Sequence, residues 1–120
     1  MNRGKGAESS ALSFLEGQGL DLLERNYRCR MGEIDLVMKE GDTLVFVEVR
    51  QRSSPDFGGA AESITPAKQK RILAAAKHYL MQFEPVPDCR FDAVLFGEDG
   101  KPEWIRNAFL EQDGSAARFR

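Results

Sequence analysis

Gly32-Glu33-Ile34-Asp35-Leu36-Val37 and, after a short turn, Val45-Phe46-Val47-Glu48-Val49-Arg50 decide the reading of this chain. Both runs alternate or cluster apolar residues as strands do, and each carries an acid where its neighbours predict burial. Burying a carboxylate is costly unless something compensates it. The second run also places a guanidinium two residues after its acid, on the same strand face. The intervening Lys39-Glu40-Gly41-Asp42 reads as a hairpin turn. With Glu40-Gly41 as a two-residue loop, Lys39 opposes Asp42, Val37 opposes Leu44, Asp35 opposes Phe46 and Glu33 opposes Glu48. Directly opposed residues share a face, so Asp35, Glu48 and Arg50 fall on one side of the sheet. In the same register Glu33, Asp35 and Val37 face one way, and Ile34, Leu36 and Met38 the other.

Working outward, residues 7–17 have the three-and-four spacing of a buried helical stripe in Ala7, Ala11, Leu12, Phe14 and Leu15, ended by Gly17 and Gly19. Glu8 precedes Ala11, Leu12 and Leu15 by three, four and seven positions, which turns it toward the buried side. Alternatively it is an acid favoured by the helix dipole near a helix start. Residues 20–27 predict a first strand, 33–39 and 43–51 the hairpin. Ser53-Ser54-Pro55-Asp56-Phe57-Gly58-Gly59 is rich in turn formers and predicts a mobile connection. Thr65 and Pro66 are an N-cap and first helical residue. Ile72, Ala76, Tyr79, Leu80 and Phe83 mark the buried side of that helix, Lys70 and Lys77 share its outer face, and Pro85-Val86-Pro87 stops it. Residues 90–96 predict a strand covered on both faces, and 103–110 a last strand. The order is α-β-β-β-α-β-β. It predicts one α/β domain over residues 1–110 and a loose tail over 111–120.

The 120 residues carry 42% hydrophobic and 30% charged side chains and a net charge of −2. That is an ordinary globular composition, long enough to bury a core without disulfides. There is no apolar run of membrane-spanning length and no secretory signal, so a cytoplasmic location is expected. Cys29 and Cys89 form no C-x-x-C motif and fit reduced thiols, Cys89 as a small buried side chain. The near-neutral total hides segregation: Arg25, Arg28 and Arg30 lie together, as do Lys68, Lys70, Arg71 and Lys77. These are either two solvated faces or the basic walls of a substrate channel with an acidic floor.

One histidine, His78, excludes a multi-histidine zinc site and reads as a satisfied helix residue. No strand-to-helix serine elbow and no glycine-rich nucleotide loop occurs. Oxygen ligands remain. Glu8, Asp35 and Glu48 suit a hard cation, Mg²⁺ or Mn²⁺, which would polarise a phosphate and acidify a bound water. Arg50 would stabilise negative charge beside it. Arg52, Lys68 and Arg71 are the candidate phosphate contacts.

The helix bearing Glu8, then Gly32-Glu33-Ile34-Asp35-Leu36, then Phe46-Val47-Glu48-Val49-Arg50-x-Arg52, then a lysine-bearing helix and Arg90-Phe91-Asp92, resembles the YraN-type family of small bacterial proteins. The likeness spans about residues 5–96, and it places the chain near Holliday-junction resolvases in the PD-(D/E)xK nuclease superfamily. It implies a restriction-endonuclease-like fold with an αβββαβ core and a mixed central sheet flanked by helices. It implies further that Asp35 is the metal-binding aspartate, Glu48 the second acid and Glu8 the helix glutamate of resolvase-like members. Arg50 stands where the superfamily name has lysine, and an arginine stays charged and accepts no proton. Glu33 belongs to the block without an assigned task. Resolvase-like relatives act as two-fold dimers, which implies a homodimer through the last strand or apolar residues such as Trp104.

Three functions follow. The first is a metal-dependent endonuclease acting on DNA or structured nucleic acid, with Asp35, Glu48 and Arg50 catalytic. The second is a nucleic-acid-binding module that keeps the fold and cleaves nothing. The third is a protein-interaction domain whose acidic pocket is structural, with Asp35 held by Arg50 in a buried ion pair.

Overall fold

In the computed structural model, residues 3–51 and 64–108 are described. Helix α1 (Arg3–Gly17) leads into β1 (Asp21–Cys29), β2 (Gly32–Glu40) and β3 (Thr43–Gln51), followed by α2 (Pro66–Leu80), β4 (Cys89–Phe96) and β5 (Pro102–Ile105). The predicted order is the observed one. The five strands form one sheet in the order β1-β2-β3-β4-β5. Only β3 and β4 run parallel, so the sheet is mixed, as expected for the αβββαβ core. A parallel neighbour requires a crossover, and α2 lies in it.

Each sheet face carries one helix. On one side Ala11 and Leu15 of α1 pack with Leu36, Met38, Val45, Val47, Val94 and Phe96. On the other, Ile72, Ala75, Ala76, Tyr79 and Leu80 of α2 pack with Val37, Leu44, Phe46, Phe91 and Ala93. Strands β3 and β4 are therefore apolar on both faces, as a covered parallel pair must be. Phe46 stacks on Phe91 with centroids 5.3 Å apart and meets Tyr79 edge-on at 6.0 Å.

The hairpin register differs from the expected one by two residues. Glu40 pairs with Thr43, Lys39 with Leu44, Val37 with Phe46 and Leu36 with Val47. The loop is Gly41-Asp42 rather than Glu40-Gly41, with Gly41 supplying a positive φ of 60°. A one-position shift of a two-residue loop changes every opposed pair by two, which preserves the faces. Continued one step, this register sets Asp35, not Glu33, across from Glu48.

The expected alternation also breaks at Asp35. Leu36 and Met38 join the α1 side as predicted, but Ile34 packs on the α2 side with Tyr27. The β2–β3 register ends at Leu36, and beyond it the Asp35 carboxylate accepts the Val49 N–H at 2.8 Å. A side chain has replaced a ladder bond, which satisfies the backbone donor while the strands separate.

Other boundaries shift for local reasons. Helix α1 begins at Arg3, which removes Glu8 from the first turn and with it the dipole reading of that residue. It ends at Gly17, with Gly19 at φ 99° and the Leu20 N–H bonded to the Leu15 carbonyl. Thr65 caps α2, its hydroxyl accepting the Lys68 N–H at 3.2 Å. That helix stops at Leu80, before the prolines, and Phe83 packs on the core from beyond it. Strand β5 ends at Ile105, before Asn107 turns at φ 54°. Trp104, offered as a dimer contact, is partly buried and tied into its own fold. Its indole donates to Asp92 at 3.0 Å, and Phe14 and Arg106 cover its ring. The predicted mobile connection (53–59), Arg52 and the 111–120 tail lie outside the described residues. Among the described residues no helix is long and apolar enough to cross a membrane.

Gly32 has a spatial reason. A Cβ there would lie 2.4 Å from the Arg71 carbonyl oxygen of α2, so the absent side chain lets the helix backbone rest on the end of β2. Gly32→Ala is expected to lower stability by about 1–3 kcal/mol through overpacking. Urea unfolding of the two proteins measures it.

Candidate active site

The separated ends of β2 and β3 open into a cavity of about 260 Å³ lined by residues of both helices and both strands. Glu8 comes from α1, Glu33 and Asp35 from β2, Glu48 and Arg50 from β3, and Lys68 and Arg71 from the first turns of α2. Of the residues expected to form a site, every one that lies within the described residues lines this one space.

Asp35 and Glu48 form its floor. Glu48 is 7% exposed, and its carboxyl is pushed up to about 8. Burial is the first cause, followed by the charge of Asp35 and a hydrogen bond to Asp35, against which Arg50 pulls down. The Glu48 carboxyl therefore favours its protonated form more than an ordinary carboxyl does. Arg50 Nη2 lies 2.6 Å from Glu48 Oε2, and Lys68 Nζ lies 3.8 Å from the same oxygen. The expected Asp35–Arg50 ion pair is thus replaced by Glu48–Arg50. The register explains this, since Arg50 sits two residues along from Glu48 on one face.

Across from this floor, Glu8 is also raised, by burial first and then by Asp35, while a hydrogen bond from Asn26 and the charge of Arg25 lower it. Arg25 reaches α1 as well, donating to the Ser9 hydroxyl at 3.2 Å. Sequence reasoning missed Asn26. The available signal was an asparagine inside a strand-like run, since asparagine is among the few residues that adopt a positive φ, here 53°.

Two sets of polar atoms in this cavity remain unsatisfied. Glu8 Oε1 is buried with no hydrogen-bond donor, and Arg50 Nε and Nη2 are buried with no aligned acceptor among the described residues. The short Arg50–Glu48 approach lies off the N–H direction, so it is a charge contact rather than a hydrogen bond. An orphaned carboxylate oxygen calls for a cation, and an orphaned guanidinium for an anion.

Asp92 is the instructive contrast. It is 0% exposed, yet it accepts from Arg90 Nε at 3.0 and 3.1 Å, from Trp104 Nε1 at 3.0 Å and from the Asn107 N–H at 3.0 Å. Arg90 in turn pairs with Glu40 at 2.7 Å. A buried acid so saturated is structural. His78 is likewise satisfied, bonded through Nδ1 to the Tyr27 hydroxyl, and Cys89 is a buried thiol.

The donor chemistry of Glu8, Asp35 and Glu48 fits a hard divalent cation. The spacing is less complete. Among the described residues no three acid, imidazole or thiol groups stand close enough to hold a metal ion as arranged. The contacting pair Asp35–Glu48 is therefore the nucleus of any such site, with Glu8 lining the same cavity.

Residues 7–96 match the uncharacterised protein family UPF0102. The chain belongs to this family. A UPF0102 protein of Nitrosomonas europaea is 60% identical over 112 residues, covering 92% of this chain and 95% of its own. One from Cupriavidus necator is 58% identical over 116 residues, covering 96% and 87%. Another from Psychromonas ingrahamii is 52% identical over 111 residues, covering 92% and 91%. This is the YraN-type family that the sequence blocks resemble. The UPF0102 match takes in Glu8, Asp35, Glu48, Arg50, Lys68 and Arg71.

Glu48 binds its proton more tightly folded than unfolded, so between its ordinary value of 4.5 and about 8 its ionisation opposes folding increasingly as pH rises. Metal-free Glu48→Gln is expected to gain thermal stability over the parent across that window, with the gap level above it. Asp92→Asn should lose stability at every pH. Melting curves from about pH 5 to 9 test both signs.

Proposed function

We propose that this UPF0102 protein is a divalent-metal-dependent phosphodiesterase acting on DNA or structured nucleic acid. The observation that carries the reading is the pair of buried groups without hydrogen bonds in one cavity, Glu8 Oε1 and Arg50 Nε and Nη2, which line it together with the Asp35 and Glu48 carboxyls. A cation and a phosphate together satisfy both. Neither does so alone.

Asp35 and Glu48, with Glu8 as third donor, would hold Mg²⁺ or Mn²⁺, which when bound neutralises phosphate oxygens and acidifies a water. Arg50 stabilises negative charge on the phosphate as the leaving oxygen departs. Arg71 and Lys68, on the opposite wall, orient the phosphodiester. Arg50 stays protonated and cannot take a proton, whereas Lys68, 3.8 Å from Glu48 Oε2, has a side chain that can. Lys68 is thus the group of this cavity suited to move the proton of the attacking water. The likeness to PD-(D/E)xK nucleases supports the same reading through the order of the sequence blocks.

A second reading, a nucleic-acid-binding module without turnover, is favoured by one observation, the absence of a ready three-ligand cluster among the described residues. Titration calorimetry with Mn²⁺ separates the two. The enzyme reading expects saturable binding that is lost in Asp35→Ala and Glu48→Ala, and Mn²⁺-dependent cleavage within a panel of four-way junction, flap, nicked duplex and linear DNA. A heat trace without binding, together with an uncut panel, would leave the binder.

If Lys68 moves a proton, Lys68→Ala should reduce single-turnover cleavage by about 10²–10⁴-fold with Mn²⁺ affinity unchanged. Lys68→Arg should fail to restore it. Rescue by arginine would reduce the role of Lys68 to charge alone.

A further inference from the structure

Beside the acidic cavity lies a second one, of about 300 Å³, lined by Arg28, Cys29, Arg30, Gly32, Glu33 and Arg71. Glu33 and Arg71 line both spaces, so the two share a wall. Their charges are opposite in kind. The first cavity sets the acids Glu8, Glu33, Asp35 and Glu48 against Arg50, Lys68 and Arg71. The second sets the guanidiniums of Arg28, Arg30 and Arg71 against the single carboxylate of Glu33. An anion entering the first needs a cation to accompany it. An anion entering the second meets mostly donors.

The juxtaposition is built by the fold. Cys29 pairs with Gly32 at the end of the β1–β2 ladder, which places Arg30 in the turn and Arg28 just before it. Gly32, lacking a Cβ, admits the α2 backbone at Arg71 against the same turn. Three cations from two elements distant in sequence are thereby held on one rim. Arg28 Nε meets Glu33 Oε2 at 3.1 Å, but both side chains are largely exposed, at 73% and 53%. Such a pair is weak and readily exchanged for a stronger acceptor. Planar guanidinium forks suit phosphate oxygens in particular.

Resting on the nucleic-acid reading above, we propose that Arg28, Arg30 and Arg71 form a subsite for the phosphates flanking the one over Asp35 and Glu48. A polynucleotide strand then runs from the acidic cavity across Arg71 to the β1–β2 turn. Arg28 leaves Glu33 for a phosphate as the strand seats. Glu33 remains as the one repulsive group on the path, so its removal should tighten binding.

The test uses a dye-labelled DNA duplex of about 30 base pairs and a single strand of equal length, with EDTA present, followed by fluorescence anisotropy from about 50 to 200 mM NaCl. The slope of log affinity on log salt should shrink by about 0.9 for each duplex phosphate that the Arg28→Ala, Arg30→Ala double variant no longer neutralises. The double lysine variant should retain the slope. Glu33→Gln should bind more tightly than the parent, and Lys101→Ala, in the β4–β5 turn, should match it. An unchanged slope in the double alanine variant of a DNA-binding parent would overturn the subsite. Mn²⁺-dependent cleavage by the parent would then still stand. A parent that binds neither DNA in EDTA would overturn the subsite and leave hydrolysis to be decided by the Mn²⁺ cleavage panel, whereas binding with the expected slopes but no cleavage would uphold the subsite and reject hydrolysis.

Discussion

Two carboxyl groups, from Asp35 on one strand and Glu48 on the next, meet at the bottom of a cavity, where burial and the charge of Asp35 raise the Glu48 carboxyl above its ordinary range. Placing like charges so close is unfavourable, and burial increases the penalty because water no longer screens the pair. The molecule contains its own control. Asp92 is more deeply buried than Glu48, yet four donated bonds from Arg90, Trp104 and the Asn107 amide saturate it. The chain can therefore build a compensated buried acid. At Asp35 and Glu48 it leaves the compensation incomplete, as sites that await a charged ligand do.

That placement depends on how the sheet ends. Beyond Leu36 the β2–β3 ladder stops, and the Asp35 carboxylate takes over the Val49 amide as acceptor. The bond fixes one oxygen of Asp35, and the separation of the strands makes room for the cavity. The parallel β3–β4 pairing places α2 in the connection and brings its first two turns, with Lys68 and Arg71, to the cavity. Gly32 sets how near that helix can come. Helix α1 closes the remaining side and carries Glu8. Elements far apart in the chain thus contribute to a cavity that none forms alone.

Much of this was legible in the chain because period-two alternation and turn chemistry are local properties. The strand 43–51, the Thr65 cap, the element order and the common face of Asp35, Glu48 and Arg50 all follow from such signals. The loop position was not, since Glu40-Gly41 and Gly41-Asp42 both offer turn residues, and only the cross-strand partners distinguish them. That single position decides whether Glu33 or Asp35 stands opposite Glu48. The reversal of Ile34 was hidden for a related reason. It arises where pairing ends, and alternation says nothing about where a ladder stops. The saturation of Asp92 by Trp104 and Asn107, and the approach of Arg71 to Arg28 and Arg30, were hidden because those partners lie farther off in sequence than the neighbouring Arg90 and the Arg28/Arg30 cluster.

In the proposed reaction the two cations beside Glu48, Arg50 and Lys68, would divide a task that one side chain often performs. Arg50 follows Glu48 by two residues on the same strand face, and it is 26% exposed with its Nε and Nη2 unaligned to any acceptor. A guanidinium held there is a permanent positive charge, suited to phosphate and unsuited to proton transfer. Lys68 approaches the same oxygen from another element, at 3.8 Å and with 42% of its side chain exposed. Its ammonium is compact, and its greater exposure allows it to exchange protons with water. A helix-borne lysine can also move relative to the strand acids, which a residue on the same strand cannot do without disturbing the ladder. An arginine at position 50 is therefore compatible with the proposed hydrolysis, in which fixed charge and mobile proton would come from different elements converging on Glu48.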